Sequence, residues 1–246
     1  MYKFATDIGI KRKENQDKGG YWDNGFYSLF ILCDGMGGHF GGSIASSIVV
    51  EQFGKLFKSS LPKTFHKPSF LQKWMVNSID QIQYFMEQQA IKKQILVDMG
   101  TTLVAAIINK KDNSMLILNI GDSRAYLLGR TLKQITIDQN VTNYFIQKNR
   151  LSYKKAFLLS NATKLISALG PNKKAKMDIF IIEPNSKYKL LILTTDGIHN
   201  YVDNPTFELI LNNENFNIEQ KADNLIETAK RNGSKDNLSI FIKEIE

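Results

Sequence analysis

Ser28-Leu29-Phe30-Ile31-Leu32-Cys33-Asp34-Gly35-Met36-Gly37-Gly38-His39 runs from an unbroken apolar stretch into an acidic residue and then a glycine-rich turn. The first half has the length and the branched, aromatic content of a buried strand. Asp34 stands where that strand emerges, so its carboxylate is held on a rigid edge. Three other aspartates are placed in the same way. Asp122 follows Leu118-Asn119-Ile120-Gly121, Asp196 follows Leu193-Thr194-Thr195, and Asp236 comes just before Leu238-Ser239-Ile240. Any one of them alone reads first as a turn-forming or capping aspartate. Several such edges can also converge on one cleft. Crowded carboxylates repel and would each take up a proton, a conflict that a divalent cation resolves. An all-oxygen donor set selects hard ions such as Mg²⁺ or Mn²⁺.

Working outward, short apolar runs predict strands over Ser28–Cys33, Thr102–Ile108, Met115–Ile120, Ala125–Leu128, Met177–Ile182, Leu190–Thr194 and Leu238–Ile242. Phe70, Leu71, Trp74, Met75, Ile79, Ile82, Phe85 and Met86 keep one apolar helical face. Ile218, Ala222, Leu225, Ile226 and Ala229 keep another, with Gly233 as the stop. A third helix is expected from about Gly42 to Leu56. Strands come in clusters and do not alternate with helices, which argues for layered antiparallel sheets covered by helices. No repeat, low-complexity tract or Pro/Gly-rich linker divides residues 1–246, so one continuous domain is expected.

With 43% hydrophobic and 23% charged residues the composition is that of an ordinary globular chain. No segment reaches the roughly 18 apolar residues of a membrane span, and the N-terminal stretch lacks the apolar core of a secretory signal. The single cysteine, Cys33, cannot form an internal disulfide and suits a reducing compartment, so a cytoplasmic location is expected. The net charge of +8 comes from scattered lysines that aromatic residues do not interleave. Nucleic acid is therefore not the expected partner. Attraction towards phosphorylated partners is the simpler reading.

The glycines after Asp34 let the backbone approach a cation closely, with the Gly35 carbonyl as a ligand beside the Asp34 carboxylate. Nucleotide loops do not fit. Gly41-Gly42 leads to Ser43-Ile44 where a P-loop needs Lys then Ser/Thr, and a dinucleotide fingerprint begun at Gly35 fails at Phe40. Arg12, within Lys11-Arg12-Lys13, reads either as a surface arginine or as a bidentate phosphate clamp. Cys33 closes an apolar strand and has His39, not arginine, six residues on, so it is read as a core residue and not as a phosphatase nucleophile. His66 and His199 read as loop histidines.

Taken in order, these blocks resemble the protein phosphatase 2C-type family, in particular its compact bacterial members. The matching blocks are Asp7/Gly9/Arg12/Asn15/Asp17; Asp34-Gly35-Met36-Gly37-Gly38-His39 with Gly42 and Ala45-Ser46; Gly100-Thr101-Thr102; Gly121-Asp122-Ser123-Arg124-Ala125-Tyr126; Ala168-Leu169-Gly170; Thr195-Asp196-Gly197; and Asp236-Asn237. They extend over nearly the whole chain.

The resemblance implies an α+β fold, a four-layer sandwich of two antiparallel β-sheets with α-helices on both outer faces. It implies two core Mn²⁺ or Mg²⁺ ions and a weaker third. Asp34 would bridge the core pair, the Gly35 carbonyl would serve one ion, and Asp196 and Asp236 the other. Asp122 would bind the third ion, Asp17 would hold metal-bound water, and Arg12 would bind phosphate. A hydroxide between the core ions would attack phosphorus in line, without a covalent phosphoenzyme. His39 would protonate the leaving alkoxide, position water, or serve only as a structural residue. Substrates would be phosphoserine and phosphothreonine proteins, in opposition to a serine/threonine kinase, with the enzyme a monomer. A pseudophosphatase that binds phosphoproteins without turnover, and a hydrolase of small phosphate esters, are the alternatives.

The chain departs from the family pattern at several points. Gln16 and Ser43 stand where glutamates are common, and Ile135–Asn140 keeps only Asp138 of a usual Asp-His-Ser stretch. Val141–Ala168 matches the family's mobile flap in position more than in sequence; its lysines and Arg150 are expected to steer substrate.

Overall fold

The computed structural model describes residues 1–37, 41–149, 151–152, 155–156, 158–159, 161–184 and 187–245. His39 and Arg150, singled out above, lie outside the described residues.

Twelve strands are described: β1 (Tyr2–Asp7), β2 (Lys18–Asp23), β3 (Tyr27–Cys33), β4 (Gly35–Met36), β5 (Gly100–Thr101), β6 (Leu103–Asn109), β7 (Met115–Ile120), β8 (Arg124–Leu128), β9 (Leu132–Gln134), β10 (Asp178–Ile182), β11 (Leu190–Thr194) and β12 (Leu238–Glu244). One sheet has the order β1-β12-β11-β8-β9 and the other β10-β7-β6-β3-β2, with β4-β5 as a small ribbon. The pairings within both sheets are antiparallel. The helices are α1 (Gly41–Ser60), α2 (Pro68–Lys92), α3 (Val141–Asn149), α4 (Asp196–His199), α5 (Asn204–Leu211) and α6 (Ile218–Arg231).

The period of two along each strand explains the layers. In β3, Tyr27, Leu29, Ile31 and Cys33 face a core shared with α1 and α2, while Phe30 and Leu32 face the opposite sheet. In β11, Leu190 and Ile192 face α5 and α6, while Leu191 and Leu193 meet Phe30 and Leu32 between the sheets. Three apolar layers therefore separate four layers of structure, and the chain has the α+β sandwich of two antiparallel sheets covered by helices. Burial on both faces is why the central strands read as continuous apolar runs.

Several elements exceed the sequence reading. The strands β1, β2, β4, β5 and β9 and the helices α3, α4 and α5 have no counterpart in the predicted elements, and α2 runs beyond the apolar face that predicts it. The end of α6 matches expectation: Gly233 takes φ +86°, and Ser234 N–H returns to the Ala229 carbonyl at 3.0 Å. His199 is a correction. It is not a loop histidine but the last residue of α4, buried, with Nδ1 2.9 Å from Thr194 Oγ1. Burial, with Arg124 nearby, holds its pKa well below the usual histidine value, so it stays neutral.

Candidate active site

The site forms where strands of both sheets end. Asp34 leaves β3 pinned by its backbone. Its N–H donates to Thr102 Oγ1 at 2.9 Å, and its carbonyl accepts from Thr102 N–H and Thr101 Oγ1, each at 2.9 Å. Thr102 Oγ1 in turn shares a 2.7 Å hydrogen bond with Ser123 Oγ, beside Asp122. One hydroxyl relay thus fixes the backbones that carry Asp34 and Asp122.

Gly35 has a reason that the sequence reading did not give. A Cβ there would lie 2.2 Å from the Gly42 carbonyl oxygen, and one on Gly42 would lie 2.7 Å from the Gly35 carbonyl carbon. The two glycines let β4 lie backbone-on-backbone against the start of α1, which any side chain would prevent.

Asp196 opens α4 directly after β11, and Asp236-Asn237 lead into β12. Asn237 fastens the N-terminal segment to this edge. Its Nδ2 donates to the carbonyls of Ile8 at 2.9 Å and Glu14 at 3.0 Å, and its Oδ1 accepts from Gln16 N–H at 2.9 Å. The loop so fastened carries Arg12, whose Nη2 donates to Asp236 Oδ2 at 2.7 Å.

Asp17 lies beneath, 2% exposed. Its Oδ2 accepts from Thr195 Oγ1 at 2.9 Å, while Oδ1 is buried without a hydrogen-bond partner. Asp196 Oδ1 is likewise buried and unpartnered.

Arg12, Asp34, Gly35, Asp122, Asp196 and Asp236 line one cleft of about 310 Å³, which Thr163 and Leu165 also line. The structure therefore brings together six of the eight predicted site residues and sets Asp17 behind them. Thr195, Asn237 and Thr102 emerge as the groups that hold the carboxylates. In the sequence all three stand inside blocks that resemble the family, with no signal of their hydrogen bonds. Gln139 was also missed. It is buried, accepts from Gly121 N–H at 2.8 Å and donates to Asp178 Oδ2 at 2.8 Å, so it links the Asp122 turn to β10. Asp138, the residue kept from the family stretch, forms a two-pronged pair with Arg124 at 2.7 and 2.8 Å.

Burial and mutual repulsion raise the pKa of this cluster. Burial first, then Asp17 and Asp196, pushes Asp34 well above the carboxylate range. Burial raises Asp17 to about 7, against hydrogen bonds that favour its charge. Burial and the charge of Asp196 raise Asp122 to about 8. Burial and the charge of Asp236 raise Asp196 to about 6. The hydrogen bond to Asp236 holds Arg12 more firmly charged than a free arginine.

This donor set fits hard divalent cations. It is all oxygen, it is crowded enough to resist ionisation, and two of its buried oxygens lack partners. Among the described residues no three His, Cys, Asp or Glu side chains close on a common point, and Asp236 is turned towards Arg12.

The model of the protein phosphatase 2C family matches residues 10–241. The chain belongs to the protein phosphatase 2C family. This phosphatase is 32% identical over 244 residues to the serine/threonine phosphatase stp of Listeria welshimeri, covering 98% of this chain and 94% of that protein. It is 28% identical over 241 residues to protein phosphatase PhpP of Streptococcus pneumoniae, covering 96% and 94%. Among solved structures it resembles serine/threonine phosphatase Stp1 from Staphylococcus aureus, with TM-score 0.89, 32% identity, and coverage of 100% of this chain and 94% of that one. It also resembles the Mycobacterium tuberculosis serine/threonine phosphatase PstP/Ppp, with TM-score 0.85, 26% identity, and coverage of 100% and 98%. The cleft described above is thus the candidate active site of a protein phosphatase.

Proposed function

We propose that this phosphatase hydrolyses phosphoserine and phosphothreonine in proteins, as a Mn²⁺- or Mg²⁺-dependent enzyme that opposes a serine/threonine kinase. Residues 1–246 act as one catalytic unit, as a monomer in the cytoplasm, without nucleic acid or membrane as partner. The observation that carries this reading is the convergence of Asp34, Asp122, Asp196 and Asp236 on one cleft that Arg12 also enters.

Asp34, the Gly35 carbonyl, Asp196 and Asp236 would hold two cations, and Asp122 a weaker third. When bound, such cations supply positive charge to the phosphoryl group and make a water molecule acidic enough to attack near neutral pH. Arg12 directs its planar fork at two phosphoryl oxygens and balances their charge. Asp17, held by Thr195, orients water from beneath the cleft. For His39 the roles are proton donor to the leaving alkoxide, water-positioning group, or structural residue of the glycine-rich turn. Cys33 takes no part: burial raises its thiol well above the usual range, so the thiolate a nucleophile needs is scarce.

The test is turnover of a phosphothreonine peptide by chelator-treated protein. Added Mn²⁺ or Mg²⁺ should restore it, whereas full activity in excess chelator would refute the mechanism. Tight peptide binding without turnover would favour the pseudophosphatase. Turnover of para-nitrophenyl phosphate alone would favour the small-ester hydrolase.

A further inference from the structure

The cleft does not end at the carboxylates. Met36 and Leu165 on its wall also line a second depression, which continues along Lys164, Ile166 and Ser167 to Lys173 and Lys174. Ile166, Ser167 and Lys174 then open into a groove of about 490 Å³ between α3 and the segment before β10. Its apolar surface comes from Ile137, Tyr144 and Ile166, which are 46%, 45% and 39% exposed. The three depressions share walls and form one path away from the phosphate site.

The floor of this path is fixed. Ile166 N–H donates to the Gln139 carbonyl at 2.9 Å, and Ala168 N–H to the Lys174 carbonyl at 3.1 Å. Lys176 N–H donates to Ser167 Oγ at 2.9 Å, and Gln139 Nε2 to the Lys176 carbonyl at 3.0 Å.

The rim is cationic. Lys148, Lys164, Lys173 and Lys174 make no ion pair with the described residues, and of the lysines along the path only Lys176 has an acidic partner, Asp178 at 3.1 Å. The other acid beside the groove, Asp138, is neutralised by Arg124. An exposed apolar strip under unpaired lysines is complementary to a chain that carries apolar and acidic side chains together.

We propose that this path is a docking groove for the polypeptide flanking the phosphorylated residue, and that it selects substrates with acidic residues in that flank. The inference rests on the phosphatase reading above and adds a substrate class to it. The lysines act at the level of encounter and binding, so their effect belongs in KM and not in kcat.

Two measurements test this, and the first needs no catalysis. A fluorescent, unphosphorylated Glu- and Leu-containing peptide should bind the wild-type protein. The variants Lys148→Glu/Lys174→Glu and Lys164→Glu/Lys173→Glu should bind it more weakly, and salt should weaken it further. In the second, Mn²⁺-loaded enzyme is given phosphothreonine peptides with glutamate-rich flanks on either side or with neutral flanks. At least one glutamate-rich peptide should have kcat/KM about 5–10-fold above the neutral one, the range for a few exposed charge pairs. Both variants should lose that preference while keeping wild-type turnover of para-nitrophenyl phosphate. Equal kcat/KM for all flanks, a preference that survives in the variants, or stronger displacement of the peptide by an RNA oligonucleotide would each overturn the groove assignment. Failure to turn over any phosphopeptide, with peptide binding intact, would instead count against the phosphatase reading.

Discussion

Arg12 and Asp236 stand at opposite ends of the chain, yet the Arg12 guanidinium donates to Asp236 Oδ2 over 2.7 Å at the mouth of the cleft. A proposed phosphate ligand thus holds a proposed cation ligand. Phosphate and cation would each draw one partner away from this pair.

For Arg12 the consequence is a split between two readouts. Arg12→Ala should raise KM for a phosphopeptide by roughly tenfold or more, as for a lost hydrogen bond to a charged group worth about 1.5–3 kcal/mol. Arg12→Lys should lie between, since a lysine cannot pair two oxygens at once. Cation affinity, measured by calorimetric titration, should not fall in Arg12→Ala, because Asp236 is released. Lys11→Ala and Lys13→Ala, both exposed, serve as controls. If Arg12→Ala matches these controls in KM, Arg12 is only a surface cation.

The metal-free protein should become less stable as pH rises. Asp196, Asp17 and Asp122 hold protons up to about 6, 7 and 8 in the folded chain, against 3.8 for an unperturbed aspartate. Their contribution is fully present below the unfolded value and is lost as pH rises through the folded values. Thermal unfolding in chelator should show Tm falling by roughly 5–10 °C between acid and mildly alkaline pH. Asp17→Asn should flatten the slope, and saturating Mg²⁺ should abolish it. A Tm independent of pH in chelator would mean that the carboxylates are not in conflict.

Cys33 and Asp34 are neighbours with opposite expectations. Cys33→Ser should keep most of its turnover and lose about 1–2 kcal/mol of stability, because a hydroxyl is placed in an apolar layer. Asp34→Ala should fold and lose turnover by orders of magnitude. Trapping of a phosphocysteine, or an inactive yet folded Cys33→Ser protein, would contradict the proposed chemistry.

Asp122→Ala should leave two tight cations in calorimetric titration while turnover drops. Loss of all cation binding together would remove the distinction between a core pair and a weaker third site.

Asn237 holds three backbone groups of the Arg12 loop, so its role is positional. Asn237→Ala should lower stability by about 1–3 kcal/mol, the cost of leaving partly buried groups unpaired. It should also raise KM as Arg12→Ala does, with the number of bound cations unchanged. An unaltered KM would show that the loop keeps Arg12 in place without this anchor.

The central strands, the three long helices and the four strand-edge aspartates are legible from residue types alone. Those segments carry strong local signals: β3 and β11 are buried on both faces and so are apolar at every position, and α2 and α6 repeat along one face. The order of the blocks then pointed to the family and to its sandwich. Elements whose reasons are tertiary did not show. In β2 the glycines Gly19 and Gly20 break any strand pattern, yet a Cβ on Gly19 would lie 2.6 Å from the Phe4 ring and one on Gly20 2.2 Å from the Trp22 ring. They are small because aromatic rings fill the space. The helix α3 lacks a long apolar face because one of its sides borders open grooves. His199 has no local signal of helix, and α4 brings it into hydrogen-bond contact with Thr194.

At the site the division is similar. Residue type marks Asp34, Asp122, Asp196 and Asp236, because a carboxylate at a strand end is visible locally. Only the packing of the two sheets decides that these ends share one cleft, that Thr195 and Asn237 hold them, and that Gly35 faces Gly42. Hydrogen bonds and close backbone approaches join residues far apart in the chain, and no local pattern of residue types encodes such a distance.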